Sequence, residues 1–171
     1  MSKKLLDEIR SGEYGNPLKQ FHRDAMLDLV LAWGSLDGAL TMLVSAFTGE
    51  DLHATASRLM KAKGAAKLLE VARLLEKHDQ ESEIAKHFRK LKKRYEKHSR
   101  PRNRIAHGHC AGYLLVDEQY LVFAVAEPEG VDQMVVEAIP VEEIIAATKF
   151  GEALTAFASQ TAERLRAARA T

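Results

Sequence analysis

Ser82-Glu83-Ile84-Ala85-Lys86-His87-Phe88-Arg89-Lys90-Leu91-Lys92-Lys93-Arg94-Tyr95-Glu96-Lys97-His98 reads as one amphipathic helix. Ile84, Phe88, Leu91 and Tyr95 recur every three or four residues and so share one narrow seam. Lys86, Lys90, Lys93 and Lys97 fall on the opposite side. The spacing predicts a helix over about 82–98 that packs by its seam and turns a cationic face outward.

Toward the C-terminus, Pro101 is expected to interrupt or kink this helix. Ser99 could cap a new turn carrying Arg102 to His107, with Gly108 as its stop. The texture then changes. Residues 113–116, 119–126 and 133–138 are rich in β-branched and aromatic side chains, and Pro128-Glu129-Gly130 is a turn signal. Two or three short antiparallel strands are expected there. A last helix should run from about 141 to 166 with Ile144, Leu154, Phe157 and Leu165 inward.

Toward the N-terminus, a helix over about 65–77 follows the break at Gly64 and a shorter one covers about 51–60. Asn16-Pro17 suits a helix start, with Asn as cap and Pro in the first turn, predicting a long helix over 18–47 that stops at Thr48-Gly49. A short helix is expected over 3–10. The fold class that emerges is mainly α: a bundle of at least four main helices, with a small antiparallel β element before the C-terminal helix. The 171 residues suit a single domain, 1–171.

Hydrophobic residues make up 46% of the chain, too many for a disordered one. Cys110 is the only cysteine, so an intramolecular disulfide and a multi-cysteine zinc site are excluded. His22, His53, His78, His87 and His98 show no metal-ligand spacing, and neither metal nor cofactor is expected. No Gly-rich phosphate loop is present. The first residues lack an apolar signal-peptide core, which makes the cytoplasm the expected compartment. The segment 25–47 is almost continuously apolar, yet Asp28 and Asp37 interrupt it, at a cost of roughly 3 kcal/mol for a central Asp in a bilayer. A buried core helix, with no membrane partner, is the better reading. Trp33 belongs to that core. Gly34 and Gly38 form a small-x-x-x-small face that admits another helix.

The net charge of +1 conceals an asymmetry. Lys86, Arg89, Lys90, Lys92, Lys93, Arg94, Lys97, Arg100, Arg102 and Arg104 crowd one segment against Glu96 alone, while the chain after Cys110 is acidic. Such a stripe is either a solvated helix face or a surface for a polyanion. On the second reading Lys86, Lys90, Lys93, Lys97, Arg100 and Arg104 bind substrate.

Arg102-Asn103-Arg104-Ile105-Ala106-His107-Gly108 is the most informative run. Its Arg-x4-His spacing, with Asn103 in a polar slot, resembles the signature of the HEPN superfamily. The layout, a long apolar helix with Trp33, then further helices, then the motif, then a C-terminal helix, is similar over about 17–165. The resemblance implies a helical homodimer with the two motifs facing across the interface. It further implies metal-independent cleavage of RNA in a toxin or defence role with a protein antitoxin, or, in members without activity, a module that binds RNA, a nucleotide or a protein. Arg102, Asn103 and His107 are the implied catalytic residues. Imidazole can serve as acid or base near neutral pH, and Arg102 would hold the scissile phosphate. One imidazole cannot be both acid and base at once, so two copies of His107 are needed.

Each residue also has a structural reading. Arg102 could pair with a carboxylate, Asn103 could bond backbone, and His107 could be a satisfied structural histidine. His109 stands where one toxin branch carries a tyrosine modified by its antitoxin. It is either a second imidazole at the site or an exposed strand residue. Asp37, one turn beyond Trp33, is expected to be a buried carboxylate partnered by Arg102, Arg104, a hydroxyl or a backbone amide. Cys110 is expected to be a small buried residue.

Overall fold

A computed structural model describes residues 3–62, 64–78, 83–126 and 134–170. The order is α1 (Lys3–Ser11), α2 (Gln20–Thr48), α3 (Leu52–Leu59), α4 (Gly64–His78), α5 (Glu83–His107), β1 (His109–Tyr113), β2 (Tyr120–Ala126), β3 (Met134–Pro140) and α6 (Val141–Ala170). The protein is mainly helical, with one three-stranded antiparallel sheet, β1-β2-β3, just before the last helix. The chain forms two compact units: Met1–Leu31 with His98–Thr148, and Ala32–Lys97 with Lys149–Thr171.

The first unit holds the sheet. Antiparallel partners share a face. Leu121, Phe123 and Ile139 lie on one face and are all buried. Val122 and Ala138 lie on the other, where Ile9 and Tyr14 pack with the buried Leu114. β1 starts earlier than the β-rich composition indicates. Past Tyr113 the chain turns, and the Leu115 and Val116 amides donate to the Glu8 carboxylate of α1 instead of joining a ladder. Gly112 has φ 140°, and a Cβ there would meet the Gly15 carbonyl at 2.6 Å, so the position suits glycine. The expected turn at Pro128-Glu129-Gly130 lies outside the described residues.

The start of α2 departs from expectation. Pro17 is outside the helix, and the Asn16–Pro17 bond is cis. The Asn16 side chain does not cap. Its amide donates to the Ala111 carbonyl at 2.9 Å, and Gly15 bridges to Tyr113. His22 is fully buried in the first turn. Its Nδ1 accepts the Lys19 amide at 3.2 Å, which leaves Nε2 to donate to the Glu118 carbonyl at 2.7 Å. Both ring nitrogens are thereby committed to structure.

The second unit is helical. Leu36, Leu40, Leu43 and Val44 of α2, Leu68 and Val71 of α4, Phe88 and Leu91 of α5 and Leu154 of α6 are buried. Trp33 is buried as expected, edge-on to Tyr95 at 4.8 Å between ring centroids. Phe157, expected inward, is exposed, although its ring lies 5.7 Å from that of Phe88. Asp51 caps α3 by accepting the His53 amide at 2.8 Å. By length and composition α2 could cross a membrane, with 61% of its most apolar window buried.

Candidate functional site

α5 does not break at Pro101. It is assigned as one helix from Glu83 to His107 with Pro101 inside, and the proline is buried. Ser99 is therefore a helical residue and caps nothing. The proline removes the amide that would bond the Lys97 carbonyl, but Lys97 is exposed and water can serve that oxygen. The helix stops where expected: the Gly108 amide donates to the Arg104 carbonyl at 2.8 Å and β1 begins at His109.

Continuity of the helix fixes the directions of the motif side chains. At 3.6 residues per turn, residues five apart are rotated by about 140°, so Arg102 and His107 of one chain leave α5 on different sides. Asn103 and Arg104 are the motif residues that share a face with His107, one turn below it. Arg102 is half-buried, and its Nη1 donates to Asn103 Oδ1 at 3.3 Å. His107 is exposed and makes no side-chain hydrogen bond among the described residues.

Arg100 and Arg104, read as substrate-binding cations, are both ion-paired. Arg104 Nε donates to Glu137 Oε2 at 2.7 Å, and the Arg100 guanidinium meets the other oxygen of that carboxylate. Glu137 lies on β3 opposite Phe123, on the face of the sheet that carries the buried Leu121 and Ile139. The sequence reading missed it. The available signal was its place between Val135 and Ile139, on the inward-pointing alternation of an otherwise apolar strand.

His109 pairs with Ala124 and Cys110 with Phe123. His109 therefore shares a face with Val136, the opposite face from Glu137, and is an exposed strand residue. Cys110 is half-buried, and burial pushes its thiol above the usual range.

In the second unit, Lys86, Lys90, Lys93 and Lys97 all occupy exposed positions on α5. On the same helix Arg89 pairs with Glu76 at 2.7 Å, Lys92 pairs with Glu96 at 3.5 Å, and Arg94 lies 5.5 Å over the Phe150 ring. Asp37 also belongs to this unit, and the expectation of a buried carboxylate paired with Arg102 or Arg104 does not hold. Asp37 is exposed, and the buried member of its ion pair is Lys67, whose Nζ donates to Asp37 Oδ1 at 2.7 Å and to Thr41 Oγ1 at 3.2 Å. Among the described residues no group of three or more His, Cys, Asp or Glu is placed to hold a metal ion. Comparison of the chain with family models, curated proteins and solved structures gave no match.

Proposed function

We propose that the protein is a metal-independent endoribonuclease of HEPN type that works as a homodimer. The observation that carries this reading is the exposed His107 at the end of α5, with Asn103 one turn below it and Arg102 beside Asn103. One imidazole takes the proton of a ribose 2′-hydroxyl, and the 2′-oxygen attacks the adjacent phosphorus. The second copy's imidazole protonates the departing 5′-oxygen, leaving a 2′,3′-cyclic phosphate. Arg102 stabilises charge on the phosphate oxygens, and Asn103 orients His107 or donates to the phosphate. Lys86, Lys90, Lys93 and Lys97 raise the local concentration of RNA by their field. A toxin or defence role, checked by a protein antitoxin, follows from the same resemblance.

The test is cleavage of mixed RNA in EDTA by the wild type, His107→Ala and Arg102→Ala. Each substitution should slow cleavage by at least about a hundredfold, the usual scale for losing an acid–base group or an oriented transition-state cation. Equal cleavage by His107→Ala would remove the catalytic assignment.

A second reading is a non-catalytic dimeric module that binds RNA, a nucleotide or a protein partner through the same residues. It is favoured by one observation: the exposed His107 makes no side-chain hydrogen bond among the described residues, so no neighbour holds its ring in a fixed tautomer. A wild type that binds but never cleaves varied RNAs, with both variants folded, establishes this reading over the first.

A further inference from the structure

Residues three or four apart on a helix are surface neighbours, with about 5–6 Å between their Cβ atoms. Along α5 this sets Arg100 one turn below Arg104, and Arg104 one turn below His107. All three belong to the first compact unit, as does Glu137 of β3. The Glu137 carboxylate accepts the Arg104 Nε–H at 2.7 Å and meets the Arg100 guanidinium with its other oxygen. Its side chain is only 14% exposed.

Folding alone does not account for this trio. Taking a carboxylate and its guanidiniums out of water is costly, and packed apolar residues in their place are often neutral or stabilising. Val135 and Ile139, two positions to either side on the same face of β3, show what the strand otherwise places there. The grip on Arg104 is also particular. Glu137 takes Nε, and among the described residues neither Nη1 nor Nη2 of Arg104 makes a hydrogen bond. A guanidinium is a rigid fork whose paired N–H groups match the oxygens of a phosphate. Fixed through Nε, Arg104 keeps its Nη edge for a ligand, and two guanidiniums against one carboxylate favour an anionic one.

We propose that Glu137 is a positioning residue that holds the Arg104 guanidinium for a phosphate of single-stranded RNA. Arg104 is the first cationic position below His107 on that residue's own face of α5, so the phosphate it takes is the one on which the imidazole acts. The inference rests on the ribonuclease reading for its kinetics, and it adds a second, anchored cation to the one supplied by Arg102.

Kinetics and NMR on the full chain test it. Single-stranded RNA is offered in EDTA to the wild type, Glu137→Gln, Arg104→Lys and the double variant. Glutamine has one accepting oxygen where two guanidiniums need two, and lysine keeps the charge of Arg104 without its fork. Each single change should lower kcat by about ten- to a hundredfold, the scale of a misplaced group, and leave KM unraised because the cations remain. The double variant should match Arg104→Lys, because Glu137 acts through Arg104. A wild-type kcat in Glu137→Gln, a loss carried by KM, or losses that multiply in the double variant would each overturn the proposal. In parallel, the NMR signal of the Arg104 Nε–H is followed while 2′-O-methyl RNA is added, which has no free 2′-hydroxyl to attack. The signal should shift saturably in the wild type. In Glu137→Gln it should be lost to rapid exchange while the RNA still binds. A wild-type Arg104 signal indifferent to the RNA overturns the proposal whether or not the protein cleaves. A saturable shift in a wild type that never cleaves retires the ribonuclease reading and leaves the Glu137–Arg104 phosphate site standing.

Discussion

Replacing Glu137 by glutamine separates two roles that Arg100 and Arg104 can play. In the structure both guanidiniums lean on one carboxylate, with Arg104 Nε 2.7 Å from Oε2. The Glu137 side chain is 14% exposed, that of Arg104 32% and that of Arg100 60%. Glutamine keeps the length and one accepting oxygen but removes the charge, so charge-assisted bonds become ordinary ones of about half the strength. Because Arg100 is largely in water, its share of the pair is mostly screened, and the loss of stability should be about 1 kcal/mol. That corresponds to about 2–4 °C in melting temperature for a chain of this size. The effect on polyanion binding has the opposite sign. Two cations lose their internal counter-charge. If both then contact a single-stranded RNA, the slope of log affinity against log salt should steepen by roughly 0.7 per cation, about 1.4 in total. Fluorescence anisotropy of a labelled single-stranded RNA across a potassium chloride series reads the slope, and a thermal melt reads the stability. An unchanged slope in a folded Glu137→Gln protein would show that the basic end of α5 does not face bound RNA. The substrate-binding assignment of Arg100 and Arg104 would then fail.

Gly64→Ala should destabilise the protein by about 1–3 kcal/mol in urea unfolding, since its Cβ would run into the hydroxyl and ring of Tyr95. If Tyr95 could yield freely, the same change would stabilise the first turn of α4, so the sign of the effect decides. Cys110, whose thiol burial pushes upward, should react slowly with thiol reagents at neutral pH in the native state and at the normal rate once unfolded. Because its folded pKa lies above the unfolded one, the stability it contributes is complete below the unfolded thiol's pKa and is lost as pH rises through the folded value. The urea midpoint should therefore fall on the alkaline side, and Cys110→Ala should flatten that fall.

Much of the architecture was legible because it is local. The seam of Phe88, Leu91 and Tyr95, the helix stops at Gly49 and Gly108, and the β-branched texture before α6 are each set within a few residues. Features that depend on distant partners were not legible. Pro101 marks a break by local rules, yet tertiary burial keeps α5 helical through it. Asn16-Pro17 reads as a cap, but Ala111 takes the Asn16 side chain from far along the chain. Asp37 announces a buried carboxylate by position, whereas the buried partner is Lys67, which looks like an ordinary surface lysine within α4. Glu137 was hidden for the same reason: its meaning lies in two arginines more than thirty positions away.

The continuity of α5 also bears on how the motif residues can cooperate. In an unbroken helix Arg102 lies about 140° around the axis from His107, and the motif residues one turn below the imidazole are Asn103 and Arg104. The Arg102 guanidinium nevertheless reaches toward that face, because its Nη1 donates to Asn103 Oδ1 at 3.3 Å. For catalysis a second imidazole must reach the phosphate across a two-fold interface, because one ring cannot serve as acid and base at once. The catalytic reading therefore depends on a dimer, whereas binding through Arg102, Arg104 or the α5 lysines does not. Dissociation should abolish cleavage and leave a residual affinity for RNA, and this asymmetry is the physical difference between the two functional readings.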